Sequence, residues 1–302
     1  MKKIIALLVA AVLCIGLLAA CGSNNAPEPA APEDTGSSAA PVASSQVTPA
    51  PVEDALSGEV IVFAAASLTE SMDDIIKEFT ALHPNVTVTP NYGSSGTLVD
   101  QIKEGAVCDV FVSAAKKQMN QIDVTADSEV NTDGSDFVVP GTRVDLLENK
   151  CVLAVPEGNP AGLSSFDDLK AAFDKDGFIF AMGGESVPVG AYTQKIFEYL
   201  GLDEAALAAA GKITYGEDVK GVTSAVEEGA AQAGVIYGSD AYSAGLDAVA
   251  TATEEMTGGK VIYPAALITT GKNADASAAF LEYIQGPEAS EIFEGVGFTA
   301  LK

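Results

Sequence analysis

The chain has 302 residues, with 16 lysines and arginines against 42 aspartates and glutamates, a formal net charge of −26. So strong an acidic excess argues against nucleic acid and anionic lipid surfaces as charge-driven partners, while saying little about a small ligand, because net charge mainly reports solubility and long-range steering. A single histidine, four cysteines and no CxxC or HExxH spacing exclude the common zinc patterns.

Lys2 and Lys3 precede an apolar run from Ile4 to Leu18, the pattern of a secretory signal. The run is too short for a good spanning helix and ends Leu18-Ala19-Ala20-Cys21, which resembles the lipobox of bacterial lipoproteins. That resemblance implies cleavage before Cys21 and lipidation of its thiol, so that the protein is anchored to the cell membrane outside the cytoplasm. An ordinary cleavage site near a cysteine is the alternative. With residues 1–20 set aside as signal, 14 basic residues face 42 acidic ones. Residues 21–57 are rich in Pro, Ala, Ser and Asn with almost no large apolar side chain, and read as a disordered tether with a reach of about 35 Å or more.

The remaining 58–302 alternate short β-branched runs with helical patterns, the signature of α/β layers. Strands are predicted at 60–63, 86–89 and 109–113, and helices at 67–82, 97–103 and 116–122. Leu68, Met72, Ile75, Ile76 and Phe79 recur at helical spacing in the first helix, which stops at His83-Pro84. A second series has strands at 151–155, 178–182, 212–215 and 234–237 and helices at 166–173, 190–200 and 219–228. Near Gly238 the character changes, with a strand at 260–268 and helices at 276–284 and 288–293. This suggests two lobes: 58–148 plus 238–302 form the first, and 149–237 the second. Cys14 falls in the signal. Cys108 and Cys151 each start a predicted strand, and spacing leaves a disulfide and two buried thiols equally open. His83 reads as a polar helix end, not a metal or triad residue.

In open α/β sheets chemistry gathers where strands end and helices begin, because unpaired N–H groups and the positive helix end converge there. Four junctions qualify. Ala64-Ala65-Ala66-Ser67-Leu68-Thr69-Glu70 lets the backbone approach a ligand, although Ser67 with Glu70 also fits a capping box. Tyr92-Gly93-Ser94-Ser95-Gly96-Thr97 is either a capped turn or a nest of donors for an anion. Val187-Pro188-Val189-Gly190 and Asp218-Val219-Lys220-Gly221 each open a helix, and Tyr237 ends a strand where its phenol would reach a cleft or pack half-buried.

These segments, together with Cys108-Asp109-Val110-Phe111-Val112-Ser113-Ala114 and Gly234-Val235-Ile236-Tyr237-Gly238-Ser239-Asp240-Ala241, resemble in order the periplasmic molybdate-binding proteins of ABC importers. The ending Gly286-Pro287-Glu288-Ala289 is similar too. The resemblance implies a type II periplasmic-binding-protein fold, with two α/β lobes and a cleft that holds molybdate or tungstate for an importer permease. It implies no enzyme activity, no cofactor, no direct cation ligand and a monomer. Residue by residue, Ser67 and Ser95 would give hydroxyl and backbone N–H, Val189 and Val219 backbone N–H, and Tyr237 its phenol. The chain departs from the pattern at Gly96 and Val189, neither of which removes a donor. Three rivals stand beside this reading: the same clamp for another oxyanion or small organic anion, a hydrolase using Ser67 or Ser95 as nucleophile, and an adhesion or sensory lipoprotein. The hydrolase lacks a GxSxG elbow and a histidine base.

Overall fold

The computed structural model of the chain describes residues 56–301, Asp127 excepted. The expected signal, Cys21 and nearly all of the tether lie outside the described residues.

Strand β1 (Gly58–Ala65) runs through a 3-10 turn (Ala66–Leu68) into α1 (Thr69–Leu82). Met72, Ile75 and Phe79 form the buried stripe of α1, and the helix stops at His83 because Pro84 drives its predecessor out of the helical region. There follow β2 (Val86–Gly93), α2 (Ser95–Lys103), β3 (Val110–Val112), α3 (Lys116–Asn120) and β4 (Val144–Asn149). Past Lys150 come β5 (Cys151–Val155), α4 (Leu169–Phe173), β6 (Phe180–Gly183), α5 (Pro188–Leu200) and α6 (Glu204–Ala209). The same series continues with β7 (Ile213–Gly216), α7 (Val219–Glu227), β8 (Ala233–Tyr237), α8 (Gly238–Ala244) and β9 (Asp247–Thr251). Helix α9 (Glu254–Thr257) leads to β10 (Val261–Leu267), α10 (Ala274–Tyr283), α11 (Pro287–Gly295) and β11 (Thr299–Ala300).

The strands form two mixed sheets, six-stranded in the order β11-β4-β10-β3-β1-β2 and five-stranded in the order β7-β6-β8-β5-β9. The chain crosses from the first sheet to the second between Asn149 and Cys151 and returns between Thr251 and Val261. The return therefore comes later than the change of character at Gly238 suggests. Strand β9 pairs antiparallel with β5, and as an exposed edge strand it carries no apolar alternation that would mark it. Pro264 sits within β10 between β3 and β4, and having no N–H to donate it coincides with a register slip against β4 between Tyr263 and Pro264.

Buried aromatic residues knit each sheet to its helices. Phe173 packs edge-on to Phe178 and Phe197 in the second sheet's layer, and Phe79 to Phe280 in the first. Cys108 and Cys151 are both buried free thiols, which resolves the open question against a disulfide. Burial pushes both thiols well above the ordinary cysteine range.

Candidate functional site

Strands β1 and β2 are parallel neighbours in one sheet, and β6 and β7 are parallel neighbours in the other. Each of the four leads through at most four residues into a helix, so two adjacent helix starts lie at one end of each sheet. Extended residues that cannot continue helically stand at three of the starts: Ser94 before α2, Val187 before α5 and Asp218 before α7. Pro188 at the first position of α5 has the fixed φ that a helix start needs and lacks only an N–H that would be unpaired there. Asp218 accepts the N–H of Gly221 at 2.9 Å, capping α7 and leaving the N–H of Val219 in the unpaired first turn. Gly190 lets α5 sit against the end of β6, since a Cβ there would lie 2.3 Å from the carbonyl oxygen of Gly183.

Ser67, Ser95, Val189, Val219 and Tyr237 all line one small cavity, and all five are buried. Ala65, Ala66, Gly93, Ser94, Ala114, Val187 and Pro188 complete its wall, so no charged side chain lines it. The sites expected from sequence are thus brought together without exception, and the walls come from helix starts on both sheets.

The hydrogen bonds around the cavity bear on the capping reading of Ser67. Ser67 does not cap α1. It lies in the 3-10 turn with its Oγ 3.0 Å from the phenol oxygen of Tyr263, while Glu70 pairs with Lys220 at 2.8 Å. Ser95 Oγ accepts the N–H of Ala114 at 3.0 Å. Tyr237 is fully buried and its hydroxyl has no hydrogen-bond partner. An unpaired buried hydroxyl is costly. Burial, followed by the neighbouring Tyr263, raises its pKa well above the ordinary tyrosine value, so the phenol remains a donor at any physiological pH.

The two sides of the cavity also touch directly. Ser94 Oγ donates to the carbonyl of Ser186 at 3.0 Å, and a Cβ on Gly96 would lie 2.3 Å from that same oxygen. Lys220, one residue past Val219, reaches from α7 to Glu70 at the start of α1 and to buried Asp240 at 3.3 Å. Burial pushes the Asp240 carboxyl up to about 7 against the pull of Lys220. For Lys220 burial opposes the charge, but Asp240 and Glu70 outweigh it and hold the ammonium above its usual range.

Sequence reasoning missed three residues of this arrangement: Tyr263, Asn149 and Asp240. Asn149 Nδ2 lies 2.9 Å from Ser239 Oγ and 3.3 Å from the Tyr263 oxygen. The available signal was chemical rather than positional, since a tyrosine, an asparagine and an aspartate in apolar surroundings each demand a partner.

Residues 60–299 match the family model of the bacterial extracellular solute-binding proteins. The molybdate-binding protein ModA of Escherichia coli K12 is 36% identical over 245 residues, covering 80% of this chain and 89% of that protein. ModA of Haemophilus influenzae is 31% identical over 250 residues, covering 82% of this chain and 92% of that protein. Among solved structures, the periplasmic molybdate-binding protein of Azotobacter vinelandii superposes with a TM-score of 0.66 over 80% of this chain and 100% of that one, at 21% identity, which bears on the fold alone.

Proposed function

The chain belongs to the bacterial extracellular solute-binding protein family, and on that premise we propose that it captures molybdate between its two sheets and hands it to an ABC importer, catalysing nothing. Tungstate, with the same charge and shape, belongs to the same reading, as does a monomer tethered to the membrane through Cys21.

One observation carries the proposal: a small uncharged cavity with helix starts from both sheets around it and the unpartnered hydroxyl of Tyr237 in its wall. Helix N-termini saturate an anion's oxygens without burying a counter-ion. Ser67 and Ser95 bond to a phenol and a backbone amide, neither of which takes a proton at neutral pH, so the pattern supports donors and not nucleophiles.

Calorimetry of the purified protein with molybdate, tungstate, sulfate and phosphate tests the reading. Tight binding of molybdate and tungstate with weak sulfate and phosphate is expected. Sulfate or phosphate bound as tightly as molybdate, or full molybdate affinity in the Ser67→Ala, Ser95→Ala double variant, refutes it.

A further inference from the structure

We propose that the groove between α3 and α5 is the capture surface for the ligand: its unpaired lysines draw a doubly charged oxyanion to the seam between the lobes, against the repulsion of an otherwise acidic protein. The inference rests on the reading of the cavity as an oxyanion site.

Helix α3 lies in the series of the first sheet and α5 in that of the second, so the groove between them, about 500 Å³ in volume, straddles the two. Pro188 lines both this groove and the cavity, and the consecutive Ala114 and Ala115 line one each. The groove is thus the outer side of the cavity wall, and drawing α3 away from α5 would open one into the other. Four of the chain's 16 lysines and arginines line it: Lys116 and Lys117 at the start of α3, Lys195 on α5 and Lys260 before β10. Glu198 is the one acid among the lining residues.

Pairing separates these charges. Lys116 meets Asp145 at 2.6 Å and Lys260 meets Glu148 at 2.7 Å, so both are largely compensated at a distance. Lys117 and Lys195 are exposed and form no salt bridge among the described residues. The Lys195 ammonium lies 5.7 Å from the centre of the Tyr192 ring, which is itself part of the groove. One uncompensated cation therefore stands on each lip, on α3 and on α5. Other approaches to the seam are more acidic. The neighbouring recess that shares Lys117 and Gln118 has Asp100 and Glu185 in its wall, and where α1 meets α7 the charge of Lys220 is shared between Glu70 and Asp240. Charges along a concave wall of low dielectric focus their field into the opening, so two free ammonium groups there act on an incoming anion more strongly than the same charges spread over a convex surface.

The test is the rate of association with molybdate, from stopped flow on tyrosine fluorescence because the chain has no tryptophan, at ionic strengths from about 10 to about 200 mM. In the unaltered protein the rate should fall about threefold or more as salt is added, although the net charge alone predicts a rise. Lys117→Gln with Lys195→Gln should lower the low-salt association rate about threefold or more and leave the dissociation rate within about twofold, because neither lysine lines the cavity. Lys117→Glu with Lys195→Glu should turn the salt dependence around. Lys77→Gln with Lys170→Gln removes the same charge from exposed positions outside the groove and should leave the association rate within about twofold. An association rate that rises with salt in the unaltered protein overturns the proposal, as does a loss in the Lys77 and Lys170 variant equal to that in the Lys117 and Lys195 variant. A dissociation rate that rises as much as the association rate falls also overturns it, since the lysines would then act on the bound ion. Absence of molybdate binding in the unaltered protein instead removes the oxyanion reading on which the proposal rests.

Discussion

Tyr237→Phe is the sharpest test of the cavity. The phenylalanine ring fills the same space and keeps the edge-on contact to Tyr263 with ring centres 5.6 Å apart, so packing is conserved. What is lost is one hydroxyl, fully buried, without a partner, in the wall of an uncharged cavity. A hydrogen bond from a neutral donor to an ionised acceptor contributes about 1.5–3 kcal/mol. At 1.4 kcal/mol per decade, Tyr237→Phe should weaken molybdate binding by roughly ten- to a hundredfold. Because the hydroxyl bonds to no protein group, the ligand-free protein should not be destabilised. The increase in thermal midpoint on adding saturating molybdate should shrink by the same free energy, and for a domain of this size about 1 kcal/mol corresponds to roughly 2–4 °C. Calorimetry gives the affinity and a thermal melt gives both midpoints. Unchanged affinity, or a ligand-free midpoint lowered as much as the affinity, would refute the assignment, since the hydroxyl would then serve the fold and not the ligand.

Gly96→Ala should block closure, because the new Cβ would press on the Ser186 carbonyl oxygen at 2.3 Å. An overpacking cost of about 1–3 kcal/mol confined to the closed form predicts affinity weakened about five- to a hundredfold, and small-angle scattering unchanged by molybdate; normal affinity with normal compaction would contradict it. Asp240, raised by burial to about 7 from an unfolded value of about 3.9, holds its proton more tightly folded than unfolded. Stability should therefore decline as pH rises between those two values, and Asp240→Asn should flatten thermal midpoints measured from pH 4 to 8; an unchanged slope would remove Asp240 as its source. Cys108 and Cys151, buried as thiols, should stay unreactive toward a disulfide reagent in the native protein and react after unfolding, as peptide mapping of the labelled sites would show; labelling of either before unfolding would show that it is accessible.

The elements that could be read from sequence are those with a buried face. Strand β5, buried at every residue, and α1, with its apolar stripe, stand where the pattern puts them. The elements that escaped are edge or surface pieces: α6 buries none of its residues and β9 none of its own, so neither has a period to detect. In β4, Asp145 and Glu148 interrupt the apolar run because they pair with Lys116 and Lys260 across the surface. The site divides similarly. Backbone donors at helix starts follow from local signals such as Ser94-Ser95, Pro188 and Asp218, although spacing alone favoured a cap for Ser67. Tyr263 was invisible because it reads as one more aromatic residue in a buried strand, and its meaning lies in a contact to Ser67 made 196 positions away in the chain.

On the proposed reading, a dianion held in the cavity without a cation has a consequence for release. Lys220 follows Val219 at the start of α7, yet its charge is already shared between Glu70 and Asp240, and it does not line the cavity. The donors that do line it are divided, with Ser67 and Ser95 on the side of the first sheet and Val189, Val219 and Tyr237 on the other. A counter-ion on one lobe would keep its hold on the anion when the lobes parted. Neutral donors divided between two lobes do not: either half leaves several anion oxygens unpaired, and water, which solvates them at no geometric cost, then competes successfully. Parting the lobes at Ser94–Ser186 and Glu70–Lys220 would thus convert a saturated site into an unsaturated one in a single motion. That is the behaviour the proposed function requires: a dilute ion bound tightly and then given up to a permease.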